Sequence, residues 1–173
     1  YHGYTAIQIQ TNTQFRDWAQ DDSKKGNFVI SGNQISGIDI YENALGTYGI
    51  EFRNHEIDMN YDLVIEKNTI EGKSTKYAIA VINDTMNKKK ATPGAGTGNI
   101  SIQNNKMKFG SIGSGTYPIY ILEHNASPTL RGKIDVSNNN LTVTDESNGA
   151  GNALSISGSN AETVTVANNN FNI

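Results

Sequence analysis

The sequence predicts an all-β fold, a parallel solenoid of about four to five coils with three short strands in each. Two interleaved patterns and one absence carry that expectation. The pattern apolar-x-apolar-x-x-Asn-x-apolar occurs five times in the 173 residues, with Asn-to-Asn steps of 35, 37, 34 and 30. Between its copies runs a second motif, small-apolar-x-apolar, and the ten motifs alternate strictly along the chain. Hairpin signals are missing. A β-sandwich would need Asn-Gly or Asp-Gly turns between paired strands, but Asn148-Gly149 lies in a polar stretch.

The elements follow in order. Ala6-Ile7-Gln8-Ile9 opens the first coil, and its corner runs through Phe28, Ile30, Asn33 and Ile35. The second coil pairs Gly49-Ile50-Glu51-Phe52 with Leu63, Ile65, Asn68 and Ile70. The third pairs Ala78-Ile79-Ala80-Val81 with Ile100, Ile102, Asn105 and Met107. The fourth has Pro118-Ile119-Tyr120-Ile121, then Ile134, Val136, Asn139 and Leu141. The fifth has Ala153-Leu154-Ser155-Ile156, then Val164, Val166, Asn169 and Phe171. Tyrosine precedes the small residue at Tyr48, Tyr77 and Tyr117.

Period-two alternation makes each motif a strand with one buried face. The Asn motif is two such strands joined by a tight corner. Asn suits a corner because it tolerates the left-handed backbone region and bonds locally to main chain. Repeated once per coil, these asparagines are expected to stack in a column and bond to one another. Past the corner the alternation continues at Phe109, Val143 and Ile173 but breaks at Gly37 and Gly72.

This arrangement resembles the right-handed parallel β-helix superfamily of pectate lyases, phage tailspikes and β-helix adhesins, over essentially the whole chain from Ala6 to Ile173. The resemblance implies that small-apolar-x-apolar is the first strand of each coil and that the Asn corner joins the second and third. It speaks for the fold and leaves function open, because the superfamily holds lyases, glycosidases, epimerases, tailspikes and adhesins. Residues 1–173 read as a single β-helix domain. The chain starts at Tyr1 without Met or a signal peptide and stops on strand-like Phe171-Asn172-Ile173, so a fragment of a longer chain is expected.

Composition removes several classes. The net charge is −3, from 14 Lys+Arg against 17 Asp+Glu, which leaves no basic footprint for nucleic acid. No apolar run approaches the roughly 18 residues of a membrane span, so no membrane insertion is expected. There is no cysteine, and therefore no disulfide framework or thiol nucleophile. Two segments escape the repeat. Phe15, Trp18 and Ala19 suggest a short amphipathic helix or cap over residues 13–22. Residues 83–98, rich in Lys and Gly, read as a long mobile loop.

Registering the first strands on one another places Gln8, Glu51, Ala80, Tyr120 and Ser155 in one exterior column, and Gln10, Arg53, Ile82, Leu122 and Ser157 in the next. In the superfamily this face carries the substrate groove, with Asp ligands for Ca²⁺ and an Arg or Lys base in lyases, and closely set Asp residues in hydrolases. Here Ala80, Ile82 and Leu122 stand where carboxylates would be wanted, leaving Glu51 and Arg53, which read first as a solvated ion pair. Further columns align Glu123 with Asn54 and Asn83, and His55 with Asp84 and His124. Two imidazoles flanking a carboxylate suit acid–base work, a metal or a pH-sensitive patch. These positions also begin variable loops, where register drifts, and no metal is expected.

The expected function is carbohydrate binding by a surface module of a bacterial adhesin or phage tail, with Glu51, Arg53, Tyr120, His55 and His124 lining a shallow groove for a glycan or polysaccharide. The expected location is extracellular, at a cell surface or on a virion. The alternative is a polysaccharide lyase or inverting glycosidase, with Glu51, Asp84 and Glu123 as the available carboxylates. No cofactor is expected, save Ca²⁺ under the lyase alternative. A structural fibre element is the third reading, with a homotrimer or adjoining domains as partners.

Overall fold

In a computed structural model of the chain, residues 5–11, 27–39, 48–55, 61–84, 98–112, 115, 117–123, 132–144, 152–157 and 161–173 are described, and every regular element among them is a β-strand. The first coil is β1 (Thr5–Thr11), β2 (Asn27–Ser31) and β3 (Gln34–Ile38). The second is β4 (Tyr48–His55), β5 (Asp62–Glu66) and β6 (Thr69–Thr75). The third is β7 (Tyr77–Asp84), β8 (Ile100–Gln103) and β9 (Lys106–Ile112). The fourth is β10 (Ile119–Glu123), β11 (Lys133–Ser137) and β12 (Asn140–Val143), and the fifth is β13 (Leu154–Ser157), β14 (Thr163–Ala167) and β15 (Asn170–Asn172). The proposed helix over 13–22 and most of the 83–98 loop lie outside the described residues.

Like strands of successive coils pair in parallel, giving three five-stranded sheets: β1-β4-β7-β10-β13, β2-β5-β8-β11-β14 and β3-β6-β9-β12-β15. The chain is a parallel β-helix of five stacked coils. Repeat and register agree. Ile7, Ile50, Ile79, Ile119 and Leu154 stand opposite one another in the first sheet. In the second sheet Ile30, Ile65, Ile102, Val136 and Val166 do the same.

These columns meet inside the coil. Ile50, Leu63, Ile65, Ile70, Ile79 and Ile119 are fully buried, and each such side chain contributes about 1.5–3 kcal/mol of transfer free energy. No single coil encloses a core, so stacking supplies most of this burial. The last coil shows the consequence: Val166 is 51% exposed, whereas Val136 one coil earlier is wholly buried.

The Asn column bonds continuously through all five coils. Each carboxamide donates to the Oδ1 of the next, from Asn33 to Asn68 at 2.9 Å and onward to Asn105, Asn139 and Asn169 at 3.0 Å. The backbone N–H of each of the first four donates to that same oxygen at 2.9–3.1 Å. The second carboxamide proton of Asn68, Asn105, Asn139 and Asn169 goes to a carbonyl of the preceding coil, as from Asn105 to Ile65 O at 2.9 Å, whereas that of Asn33 goes to Ser31 O of its own coil. Both lone pairs and both protons of Asn68, Asn105 and Asn139 are therefore used, which allows these polar side chains to be buried at 0–1% exposure.

The left-handed residue of the corner is not the ladder Asn. Positive φ falls one position earlier, at Gly32, Lys67, Asn104, Asn138 and Asn168. The backbone reverses there, and this turns the following Asn side chain inward to its column.

Candidate functional site

The first sheet turns its outer face outward from the core, and the alternation decides what stands there. In β4, Ile50 and Phe52 point inward, so Glu51 and Arg53 share the outer face two residues apart. Gln8 of β1 lies opposite Glu51 in register, and Gln10 lies opposite Arg53. On the other side Glu51 meets Ala80, and Ala80 meets Tyr120 and then Ser155. Both sequence-derived columns hold in register, the second through Gln10, Arg53, Ile82, Leu122 and Ser157, but Glu51, Ala80 and Ile82 are buried in them rather than exterior.

The ion pair differs from the solvated one expected. Glu51 is only 2% exposed. Its Oε1 accepts from Arg53 Nη2 at 2.7 Å and from Arg53 Nε at 3.1 Å, and its Oε2 accepts from Gln8 Nε2 at 2.5 Å. A carboxylate taken from water needs such donors on both oxygens. Arg53 keeps 30% of its side chain exposed. Glu51 and Arg53 are together; as the partner of three short hydrogen bonds, Glu51 serves to orient Arg53 and Gln8.

Beside this group stands a row of tyrosines, of which the sequence offers Tyr120 as a site residue and Tyr48, Tyr77 and Tyr117 only as motif flanks. Tyr48 stacks on Tyr77 with ring centroids 5.2 Å apart and planes 14° from parallel. Tyr77 lies 5.0 Å from Tyr120, and Tyr120 stacks on Tyr117 at 5.8 Å and 10°. Tyr48 and Tyr77 face each other in register. Ala80 is fully buried opposite the half-buried Tyr120. Tyrosine three times at the same motif position was the sequence signal for this row.

Burial shapes the acidity of these phenols. It is the main cause that raises Tyr48 above its ordinary value, with the Glu51 carboxylate adding and Arg53 opposing. Burial likewise raises Tyr77, helped by Tyr117, and Tyr120, helped by Tyr77 and Tyr117. All three therefore stay neutral hydrogen-bonding phenols across the physiological range.

The remaining candidates divide. The backbone of His55 lies opposite Asp84, and that of Glu123 opposite Asn83, as their columns require. The side chains of His55, Asp84 and Glu123, and the whole of His124, lie outside the described residues. Among the described residues no group of three or more His, Cys, Asp or Glu is placed to hold a metal ion. The site as described can present aromatic edges, phenolic hydroxyls and a fixed guanidinium to a polar ligand. Comparison of the chain with protein-family models, curated proteins and solved structures finds no match.

Proposed function

We propose that the chain is a carbohydrate-binding surface module, built on a β-helix of the pectate-lyase, tailspike and adhesin kind, that recognises polysaccharide through the outer face of its first sheet. The observation that carries this reading is the row of four tyrosines alongside a guanidinium fixed by a buried carboxylate. Aromatic side chains supply apolar contact with a polar tip, which matches the mixed C–H and hydroxyl surface of a sugar. Arg53 is already oriented before a ligand arrives, so little ordering entropy is left to lose on binding. Strands spaced about 4.8 Å apart offer the same contacts repeatedly along the axis, as an extended repeating ligand requires. A bacterial adhesin or a phage tail, acting outside the cell, is the setting this implies.

The lyase or inverting-glycosidase alternative has less support. An inverting enzyme asks for two carboxyl groups roughly 6.5–9.5 Å apart. On the described part of this face Glu51 is the one carboxylate, and both its oxygens are engaged. The assembly reading has one observation in its favour: the last coil leaves Val164 and Val166 exposed, as solenoid ends awaiting a neighbour do. Sedimentation showing a stable monomer at high concentration would remove it.

A glycan array spanning cell-wall, capsular and mucin sugars tests the proposal between about pH 4 and 8, within which Tyr stays neutral. Binding to at least one polysaccharide is expected, weakened about tenfold or more by Tyr120→Ala or Arg53→Ala. No binding at any pH, or binding indifferent to both substitutions, would overturn it. Release of new reducing ends during incubation would favour the hydrolase.

A further inference from the structure

The third sheet bends where its alternation fails. Between Ile35 and Ile38 the register of β3 on β6 slips, with Gly37 in the left-handed region. Gly72 sits against Ile38 so closely that a side chain there would overlap the Ile38 carbonyl oxygen, and a Cβ on Gly110 would lie 2.6 Å from the Lys73 carbonyl oxygen. These two glycines raise no side chains, and a trough of about 450 Å³ opens over them, lined by Ser36, Glu71, Lys73, Lys108 and Thr144 among others. A second hollow of about 250 Å³ shares Ser36 and Glu71 and adds Gln34 and Thr69. Together they cross β3, β6 and β9 to Thr144 just beyond β12, a run of roughly 14 Å at the usual strand spacing.

Lysines outnumber carboxylates by one in the lining of this trough, with Glu71 opposite Lys108 in register. The whole sequence is at −3, yet the trough sets Lys73 and Lys108 against the single Glu71. Lys73 reaches Asp39 only at 3.9 Å, with 84% of its side chain exposed. The Asp39 Oδ1 accepts from Ser74 Oγ at 2.7 Å. Lys108 makes no ion pair among the described residues, and Lys106 extends the basic column one position along the same face of β9.

We propose that this trough is a second binding site, for an extended acidic saccharide chain bearing carboxylate or sulfate groups. It extends the carbohydrate reading to another face and rests on that reading for the class of partner alone. The ammonium groups meet the anionic substituents, the hydroxyls of Ser36, Thr69 and Thr144 meet sugar hydroxyls, and the glycine floor admits a ring close to the backbone. A nucleic acid fits less well. It needs a broader cationic surface and gains from exposed aromatic platforms, and Phe109, the aromatic residue of the lining, is 1% exposed.

Titration calorimetry with oligogalacturonate, dextran sulfate, unmodified dextran and duplex DNA tests the site in the wild type, in K73Q/K108Q and in a K133Q control on the second sheet. Oligogalacturonate or dextran sulfate should bind in preference to dextran, about tenfold or more weakly in K73Q/K108Q and within about twofold of wild type in K133Q. No binding of either acidic chain, or binding unchanged in K73Q/K108Q, overturns the site. DNA bound as tightly as the saccharides and through the same lysines would replace it with a nucleic-acid face. Lysine-dependent saccharide binding that persists in Arg53→Ala, beside an array that shows no dependence on Arg53 or Tyr120, would sink the first-sheet site and leave this one standing.

Discussion

At the residue scale the corner sets two different demands on neighbouring positions. The ladder position must supply two donors and two acceptor sites in a buried column, and only a carboxamide of that length does so at each coil. Asn105 bonds to Asn68, Asn139 and Ile65, so Asn105→Ala strands several buried groups and should cost about 3–5 kcal/mol. Asn169→Ala, at the partly exposed end of the ladder, should cost less than half as much by urea denaturation. The position before it must accept positive φ. Gly and Asn fill four of those five positions, and Lys67 fills the remaining one at φ 55. A left-handed L-residue is strained, so Lys67→Gly should raise stability by about 0.5–1 kcal/mol. That gain should survive the loss of the exposed bond from Lys67 to Glu66. A decrease in the denaturation midpoint would contradict it. Sequence reasoning found the column but assigned the left-handed conformation to the wrong member. The run of Gly, Lys, Asn, Asn and Asn just before the ladder was the overlooked signal.

At the scale of the element, the first sheet shows what register alone can settle. The columns through Glu51 and Arg53 were legible because the motif places one small residue at a fixed distance before each apolar pair. Burial of Glu51 was not legible, since it depends on the reach of Gln8 and Arg53 and on neighbouring tyrosine rings. The bend of the third sheet was visible only as broken alternation at Gly37 and Gly72; the register slip that turns it into a trough is a property of paired strands. The tyrosine row carries a pH dependence of definite sign. Below the ordinary tyrosine range the phenols are neutral in both the folded and unfolded chain. As pH rises past about 10, unfolded phenols ionise while the raised Tyr48, Tyr77 and Tyr120 hold their protons, so stability falls until the folded phenols ionise as well. Denaturation midpoints should drop between pH 9 and 11, and the drop should shrink in a Tyr48→Phe, Tyr120→Phe double variant. An equal drop in that variant would place the cause elsewhere.

Over the whole molecule, stability accumulates from coil to coil, so the same chemical change should cost different amounts at different heights in the stack. Val136 and Val166 occupy equivalent positions in successive coils, one wholly buried and the other 51% exposed. Val136→Thr should cost about 1–3 kcal/mol by burying a hydroxyl, and Val166→Thr less than about 0.5 kcal/mol. Equal losses would mean that the last coil is covered in solution, which is the outcome an assembly element requires. This gradient from buried to open coils is the feature that a repeat reading of the sequence foresees, whereas the function rests on side chains that the repeat leaves free to vary.

Those variable side chains are where the central claim can be met most directly. Amide chemical-shift mapping of the labelled protein, titrated with the polysaccharide that the array selects, reports the contact surface residue by residue. The account predicts perturbations concentrated on β4, β7 and β10, around Arg53, Tyr77 and Tyr120, and lost in Arg53→Ala. Perturbations confined to the second sheet, or none at saturating ligand, would contradict it.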